Sequence, residues 1–230
     1  MKFKYKRYLY KKMKSLLWNA GELSLISFGK RPEFSRVYTD VGIRQEKTML
    51  ASSDLCHIHS AVKATAKVEG DIAEIGVFRG GSARVICQAR DGKRLHLFDT
   101  FAGLPETGDL DIKFVNGKQF GESEFSEPIE RVKDFLKGHQ DVHFYKGVFP
   151  ETAKAVEDVR FSFVHMDVDL YQSTKDCLEF FYPRLNRGGI ILSHDYPFVK
   201  GVKKAIDDFF RDREEPVVSL LDKQAMIVKI

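Results

Sequence analysis

Cysteines and long apolar runs are scarce in this sequence, and each scarcity excludes a class of protein. The 230-residue chain has 3 cysteines, which are scattered and odd in number. A disulfide framework is therefore not expected, and a reducing compartment is the better interpretation. No apolar run approaches the roughly 20 residues that span a bilayer, and residues 15–20 are too short for the apolar region of a signal peptide. We therefore expect a cytoplasmic protein.

Acidic residues are absent before Glu22, where basic residues are concentrated instead. Seven Lys and Arg residues lie between Lys2 and Lys14, although the net charge of the whole chain is only +4. The remainder is mildly acidic, so we expect no nucleic-acid partner. Residues 1–45 are interpreted as an N-terminal extension. It could be a solvated arm or a helix packed on a partner subunit of a homo-oligomer. The alternative is an amphipathic helix that contacts an anionic membrane or partner through Lys2–Lys14.

Residues 46–230 are interpreted as one domain, in which short β-type runs alternate with helical patterns. The predicted strands are 72–78, 95–99, 142–145, 161–169, 190–193, 216–221 and 225–230. The predicted helices are 54–68, 82–90, 127–137, 173–185 and 202–211. This alternation predicts right-handed crossovers and a mostly parallel sheet. Only about three residues separate the last two strands, too few for a helical crossover, so they must pair antiparallel if they pair with each other.

The predicted fold is therefore α/β and doubly wound, Rossmann-like, with a mostly parallel seven-stranded sheet closed by an antiparallel C-terminal hairpin. The stretch from Gly103 to Ser126 is the one long irregular connection. Such a loop in a compact domain usually covers an active site or forms a mobile surface.

A glycine-rich turn follows the first predicted strand, in the run from Glu74 to Ser82. Glycines such as Gly76 and Gly80 let the backbone approach a ligand, and the helix that begins near Ser82 offers unpaired N–H donors. A dinucleotide fingerprint would require glycine where Phe78 stands, which argues against NAD. A carboxylate at Glu74 suits the cationic sulfonium and amino group of S-adenosylmethionine better than a pyrophosphate. A tight turn without a ligand is the alternative.

The second predicted strand ends at Asp99, which Thr100 follows. A carboxylate at this position in a doubly wound fold accepts hydrogen bonds from the hydroxyls of an adenosine ribose. A loop or helix-capping aspartate is the alternative. The sequence therefore predicts a cofactor site formed by Glu74, Gly76, Gly80, Ser82, Asp99 and Thr100.

Acidic side chains end two later strands. Asp167 and Asp169 stand two positions apart on a predicted strand, so both would point to the same face. His194 and Asp195 end the next predicted strand, which we expect to be its neighbour. Close carboxylates are costly to bury unless a cation or a shared proton compensates. This set of oxygen ligands and one nitrogen ligand suits Mg²⁺, Mn²⁺ or a similar octahedral ion, and a hydrogen-bonded crevice without metal is the alternative.

Several segments, taken together, resemble the macrocin O-methyltransferase family of class I methyltransferases. They are Glu74–Ala83, Phe98–Pro105, Met166–Thr174, Leu185–Tyr196 and Gly201–Phe209, with weaker matches at Thr48-Met49 and Gly147–Thr152. The resemblance implies transfer of a methyl group from S-adenosylmethionine to a hydroxyl of a small molecule, typically on a sugar or glycoside, with Mg²⁺ or another divalent cation.

The same resemblance assigns roles to individual residues. It implies that the turn at Gly76 holds the methionine part of the cofactor and that Asp99 holds the ribose. It also implies that Asp167 binds the metal and that Asp169 takes the proton of the acceptor hydroxyl. The family usually has two consecutive acids on the later strand, where this chain has His194 and Asp195. We therefore predict a metal site of Asp167, His194 and Asp195 in which one ligand has changed type.

Two other functions fit parts of the sequence. Asp167-Val168-Asp169 also matches the Asp-x-Asp motif of metal-dependent glycosyltransferases, which bind a nucleotide diphosphate. That class does not account for Glu74 beside the glycine turn. The second alternative is a non-catalytic, cofactor-binding scaffold that attaches to an anionic membrane or partner through Lys2–Lys14.

Overall fold

A computed structural model describes residues 47–111, 120–121, 123–221 and 223–230. Seven strands lie within these residues: β1 (Asp71–Ile75), β2 (Leu95–Asp99), β3 (Val142–Lys146), β4 (Phe161–Met166), β5 (Leu185–Ser193), β6 (Val218–Ser219) and β7 (Ala225–Val228). They form one sheet in the order β3-β2-β1-β4-β5-β7-β6. The first five strands pair in parallel. β7 runs antiparallel to both β5 and β6. The predicted parallel sheet and its antiparallel closure are confirmed.

Helices cover both faces of this sheet. They are α1 (Ser52–Ala64), α2 (Gly81–Ala89), α3 (Ile129–Phe135), α4 (Tyr171–Phe181) and α5 (Lys200–Phe210), with short 3₁₀ helices at Glu151–Val156 and Tyr182–Arg184. Ile58, Ile86 and Val132 pack α1, α2 and α3 against one face. Leu178 and Ile206 pack α4 and α5 against the other. The central strand β4 is buried along its whole length, as expected for a parallel strand covered on both sides.

Two strands end earlier than the sequence pattern predicts, and predicted site residues follow both of these strand ends. β1 stops at Ile75 rather than at residue 78, because Gly76 has a left-handed backbone with φ +83°. β4 stops at Met166 rather than at residue 169, and Asp169 has φ +60°. Asp167 and Asp169 therefore follow the strand instead of sharing one of its faces, so the argument from strand alternation was wrong for this pair.

Helix α4 also differs from the prediction. It begins at Tyr171 rather than at residue 173, so Ser173 lies inside the helix. The Tyr171 backbone N–H instead donates to Asp111 Oδ1 at 2.7 Å. The helix gives way at Phe181 to a 3₁₀ turn, and β5 begins at Leu185, five residues before the predicted strand. Asp111 thus joins the long connection that begins at Gly103 to the start of α4.

The predicted N-terminal extension of residues 1–45, including Lys2–Lys14, lies outside the described residues. Its proposed contacts with a membrane or partner stay predictions, as do the homo-oligomer and the cytoplasmic location. Within the described part of the chain, no helix combines the length and the apolar character that crossing a membrane requires.

Candidate active site

A cavity of about 410 Å³ opens where the parallel strands end at their carboxyl ends. Its wall is made by the residues that follow β1, β2, β3, β4 and β5, the usual position of a ligand in an open α/β sheet. Of the predicted site residues, eight line it: Gly76, Ser82, Asp99, Thr100, Asp167, Asp169, His194 and Asp195. The cavity therefore joins the predicted cofactor turn to the predicted metal cluster.

Gly76 is the point where these two halves meet. A Cβ atom added to Gly76 would lie 1.9 Å from the carbonyl oxygen of Asp167. The Asp167 backbone N–H also donates to the carbonyl of Ile75 at 2.9 Å. Only glycine combines the positive φ with this approach of two backbones, so the residue at 76 fixes the distance between the turn after β1 and the acids after β4.

Asp99 supports the same turn from β2. Its Oδ2 accepts the backbone N–H groups of Val77 at 2.7 Å and Phe78 at 2.9 Å. Its Oδ1 accepts the N–H of Phe101 at 2.6 Å. Asp99 remains half-buried at the cavity wall. The carboxylate is thus held by the backbone, and Oδ1, which accepts only one N–H, keeps a lone pair that can accept a ribose hydroxyl.

Glu74 does not lie where direct contact with a cofactor requires it. Its side chain has no exposed surface and is not part of the cavity wall. Its Oε1 lies 2.9 Å from Nδ1 of the fully buried His165. Burial raises the pKa of Glu74 although His165 opposes the rise. The predicted direct contact between Glu74 and the sulfonium is therefore corrected: the carboxyl is enclosed beneath the turn because β1 is buried on both faces.

Of the other predicted cofactor residues, one lies outside the cavity wall and two line it. Gly80 lies outside the wall, and a Cβ there would meet the Val132 side chain at 3.0 Å, so its role is to pack the start of α2 against α3. Ser82 and Thr100 do line the cavity. The Thr100 hydroxyl donates to the carbonyl of Gly103 at 2.6 Å and so holds the start of the long loop.

The four predicted residues of the acidic cluster come together. His194 Nδ1 lies 3.0 Å from Asp167 Oδ1 and 3.3 Å from Asp195 Oδ2. The potential ligand atoms of these three residues all lie within 4.8 Å of one another. Asp169 shares a hydrogen bond with Asp195. The ends of β4 and β5 therefore form one polar centre on the cavity wall.

The pKa values of this centre reflect its crowded negative charge. Burial, followed by repulsion from Asp167 and Asp195, raises the pKa of Asp169 well above its usual value. Burial alone would lower the pKa of His194, but the two neighbouring carboxylates outweigh it and raise that pKa well above normal. Burial would likewise raise the pKa of Asp195, yet the His194 ring lowers it. The centre thus favours a bound proton or a cation.

The donor atoms also fit a divalent metal. His194 is 8% exposed, and its Nδ1 makes no hydrogen bond of good geometry despite the two nearby carboxylate oxygens. Separations of 3.0 and 3.3 Å are those of adjacent ligands around an octahedral ion with bonds of about 2.1 to 2.3 Å. A buried nitrogen that lies between two carboxylates without hydrogen-bond geometry to either is therefore compatible with a metal ligand.

The sequence analysis missed three parts of the wall. The segment from Lys47 to Leu50 covers the start of α2, where the Lys47 carbonyl and the Thr48 side chain approach Gly81 closely. Lys223 brings a cation near Asp195. Other aromatic residues that line the cavity include Phe120, Phe125, Phe149 and Phe198. In the sequence, only the short motifs Thr48-Met49 and Gly147–Thr152 pointed to these parts of the wall. The aromatic residues could not be identified, because a ring that lines a cavity and a ring in the core look the same in sequence.

Comparisons with known proteins agree with this geometry. The family model of the macrocin O-methyltransferases (TylF) matches residues 13–227. The chain is 31% identical over 159 residues to the 8-demethyl-8-(2,3-dimethoxy-alpha-L-rhamnosyl)-tetracenomycin-C 4'-O-methyltransferase of Streptomyces olivaceus, covering 62% of this chain and 58% of that protein. It is 29% identical over 177 residues to the demethyldecarbamoylnovobiocin O-methyltransferase of Streptomyces niveus, covering 70% and 67%. The chain thus spans less than two thirds of the first of these relatives.

Solved structures show the same fold. The O-methyltransferase NovP superimposes with a TM-score of 0.67 at 25% identity, covering 80% of this chain and 82% of NovP. The calicheamicin methyltransferase CalS11 superimposes with a TM-score of 0.65 at 20% identity, covering 89% and 94%. These similarities identify the sheet and its helices as a class I methyltransferase fold.

Proposed function

Because the chain belongs to the macrocin O-methyltransferase family, we propose that it transfers a methyl group from S-adenosylmethionine to a hydroxyl of a sugar-containing small molecule, with help from a divalent cation. The observation that carries the proposal is the continuous cavity between the glycine turn and the acidic centre. Methyl transfer needs a donor and an acceptor hydroxyl in contact, and this cavity has one chemically suited wall for each.

The cofactor half of the cavity has a rigid polar edge and an apolar interior. The turn at Gly76 and the carboxylate of Asp99 would hold the methionine and ribose parts. Leu104 and Phe149 offer an apolar surface for an adenine ring. S-adenosylmethionine, when bound, supplies a methyl group on a positively charged sulfur. The protein's contribution is to hold this methyl group close to Asp167 and Asp169. The contact between the Gly76 and Asp167 backbones sets that distance.

Asp169 is the residue proposed to accept the proton of the acceptor hydroxyl. It lies on the cavity wall next to Asp167 and Asp195. Its raised pKa makes the ionised carboxylate a stronger base than an exposed aspartate. Asp195 keeps the lower pKa of the pair, so the accepted proton stays on Asp169, which donates it to Asp195 in their hydrogen bond.

Asp167, His194 and Asp195 are the residues proposed to hold the cation. A divalent ion at this place would act as a Lewis acid that lowers the pKa of a coordinated hydroxyl. It would also offset the repulsion among the carboxylates and so favour the ionised form of Asp169. The family match favours this reading of Asp167 and Asp169 over the Asp-x-Asp of a glycosyltransferase.

The proposal can be tested on the full-length chain with two matched titrations. Calorimetry with S-adenosylhomocysteine should show one site per chain, whereas a nucleotide diphosphate sugar should show no comparable binding. A screen of glycosylated acceptors for release of S-adenosylhomocysteine, with and without chelator, should then identify a substrate and show slower turnover with chelator. If the protein bound the nucleotide diphosphate sugar tightly and did not bind S-adenosylhomocysteine, methyl transfer would be rejected in favour of glycosyl transfer.

A further inference from the structure

His194 brings an imidazole into a centre that is otherwise made of carboxylates. Its ring is 92% buried, and Nδ1 faces Asp167 Oδ1 at 3.0 Å and Asp195 Oδ2 at 3.3 Å. Neither contact has the geometry of a good hydrogen bond. The nitrogen is thus directed between the two carboxylates, where a metal ligand would have to point.

A second buried carboxylate lies behind the ring. Asp54, in the first turn of α1, has no exposed surface, and its Oδ2 lies 3.5 Å from His194 Nε2, within ion-pair distance although the two atoms form no hydrogen bond. The same Oδ2 accepts the backbone N–H of Ala51 at 3.0 Å, while Oδ1 has no hydrogen-bond partner among the residues that the structure describes. A histidine that binds metal through one nitrogen usually directs its other nitrogen to a carboxylate, which fixes the ring and raises its basicity.

We propose that Asp167, His194 and Asp195 bind a first-row transition ion such as Co²⁺, Ni²⁺, Fe²⁺ or Zn²⁺ in preference to Mg²⁺, and that Asp54 is the residue that positions His194. The inference rests on the proposed function only in taking this centre to be the cation site. Mg²⁺ strongly prefers oxygen ligands, whereas imidazole suits the later transition ions. Replacing one carboxylate by imidazole also removes a negative charge from the site. This loss weakens the binding of Mg²⁺ more than that of a transition ion, because Mg²⁺ depends on the charge of its ligands and gains little from imidazole.

The test measures metal binding directly, without reference to turnover. Metal-free full-length protein is titrated with Co²⁺, followed by visible absorption, and Mg²⁺ affinity is obtained by competition and by calorimetry. The variants are His194→Asp, which restores an all-oxygen site, and Asp54→Asn, which keeps the shape of the positioning residue. His143→Gln is the matched control, because His143 is exposed on β3.

The wild type should bind Co²⁺ more tightly than Mg²⁺. His194→Asp should reduce this preference by at least about 10-fold, and His143→Gln should leave it unchanged. Asp54→Asn should weaken Co²⁺ binding by about 10-fold or more. Since Asp54 acts through the ring, Asp54→Asn should have no further effect on metal affinity in a His194→Asp background.

The proposal fails if wild-type protein binds no Co²⁺, if it binds Mg²⁺ as tightly as Co²⁺, or if His194→Asp leaves the preference unchanged. Should His194→Asp not fold, undiminished Co²⁺ binding by Asp54→Asn would overturn it instead. Calorimetry with S-adenosylhomocysteine on the same samples separates the two hypotheses. Normal binding there, together with methyl transfer, would keep the proposed function while the metal preference is rejected.

Discussion

Replacement of Gly76 by alanine should disrupt the site through the backbone, and Gly92 provides a matched control. Both glycines have nearly the same left-handed backbone, with φ of +83° and +81°. A Cβ at Gly92 would meet no atom of the described residues within 4 Å, whereas a Cβ at Gly76 would lie 1.9 Å from the Asp167 carbonyl oxygen. The two substitutions therefore share the conformational cost and differ only in the clash.

The magnitudes follow from these two contributions. An alanine in the left-handed region costs about 1–2 kcal/mol, partly offset by about 0.4–1 kcal/mol from a less flexible unfolded chain. Gly92→Ala should thus lower stability by about 1 kcal/mol. The clash in Gly76→Ala adds about 1–3 kcal/mol, as overpacking does elsewhere. Since 1 kcal/mol corresponds to about 2–4 °C in a chain of this size, Tm should fall by about 3 °C and about 10 °C respectively.

The binding assay gives a second, independent comparison. In Gly76→Ala the clash must move the turn away from Asp167, so S-adenosylhomocysteine affinity measured by calorimetry should fall by at least about 10-fold. In Gly92→Ala that affinity should stay at the wild-type value. Equal melting temperatures and equal affinities for the two variants would refute the view that the approach of the Gly76 backbone to Asp167 sets the geometry of the site.

Three further variants test other parts of the structure. Asp169→Asn, which tolerates the positive φ, should reduce turnover by at least about 100-fold while S-adenosylhomocysteine affinity stays within about twofold; near-normal release of product would disprove the role as base. Asp111→Ala removes the acceptor at the start of α4 and should lower stability by about 1–2 kcal/mol, measured by denaturant unfolding, whereas an unchanged midpoint would contradict this anchoring. Glu74→Gln tests a pKa raised by burial: a carboxyl of this kind stabilises the fold while protonated and loses that contribution as pH rises through its folded pKa. The difference in Tm, variant minus wild type, should therefore increase from pH 5 to pH 8. A decrease in this difference would be incompatible with a buried carboxyl of raised pKa.

The fold was predictable because its signals are local and repeated. Alternating apolar runs and helical patterns identify the parallel strands, and the short spacing before Ala225 identifies the antiparallel closure. The acids after β4 and β5 were predictable for a related reason, because adjacent parallel strands deliver their carboxyl ends to one edge. The error at the end of β1 comes from one left-handed residue, Gly76, whose conformation accompanies its close approach to the Asp167 backbone.

Contacts between distant segments were not predictable from the sequence. Glu74 looked like a ligand-facing acid, but only the pairing of β1 with β4 shows that it faces His165 inside the sheet. Asp54 gave no signal at all, because an acid in the first turn of a helix is common. Its position behind His194 depends on how α1 packs across β4 and β5.

The part of the site that serves the cofactor is fixed largely by backbone contacts, and this has a consequence for specificity. The Gly76 N–H donates to the Phe98 carbonyl, the Asp167 N–H to that of Ile75, and the His194 N–H to that of Met166, so a hydrogen-bonded ladder continues past the strand ends. Substitutions there would move several of these groups at once. The surrounding wall at Lys223 and Phe198 comes from loops that can change without disturbing that ladder. Within the proposed function, we therefore expect acceptor choice to depend on these loops, because their side chains can vary while the distance from the cofactor turn to the acidic centre stays constant.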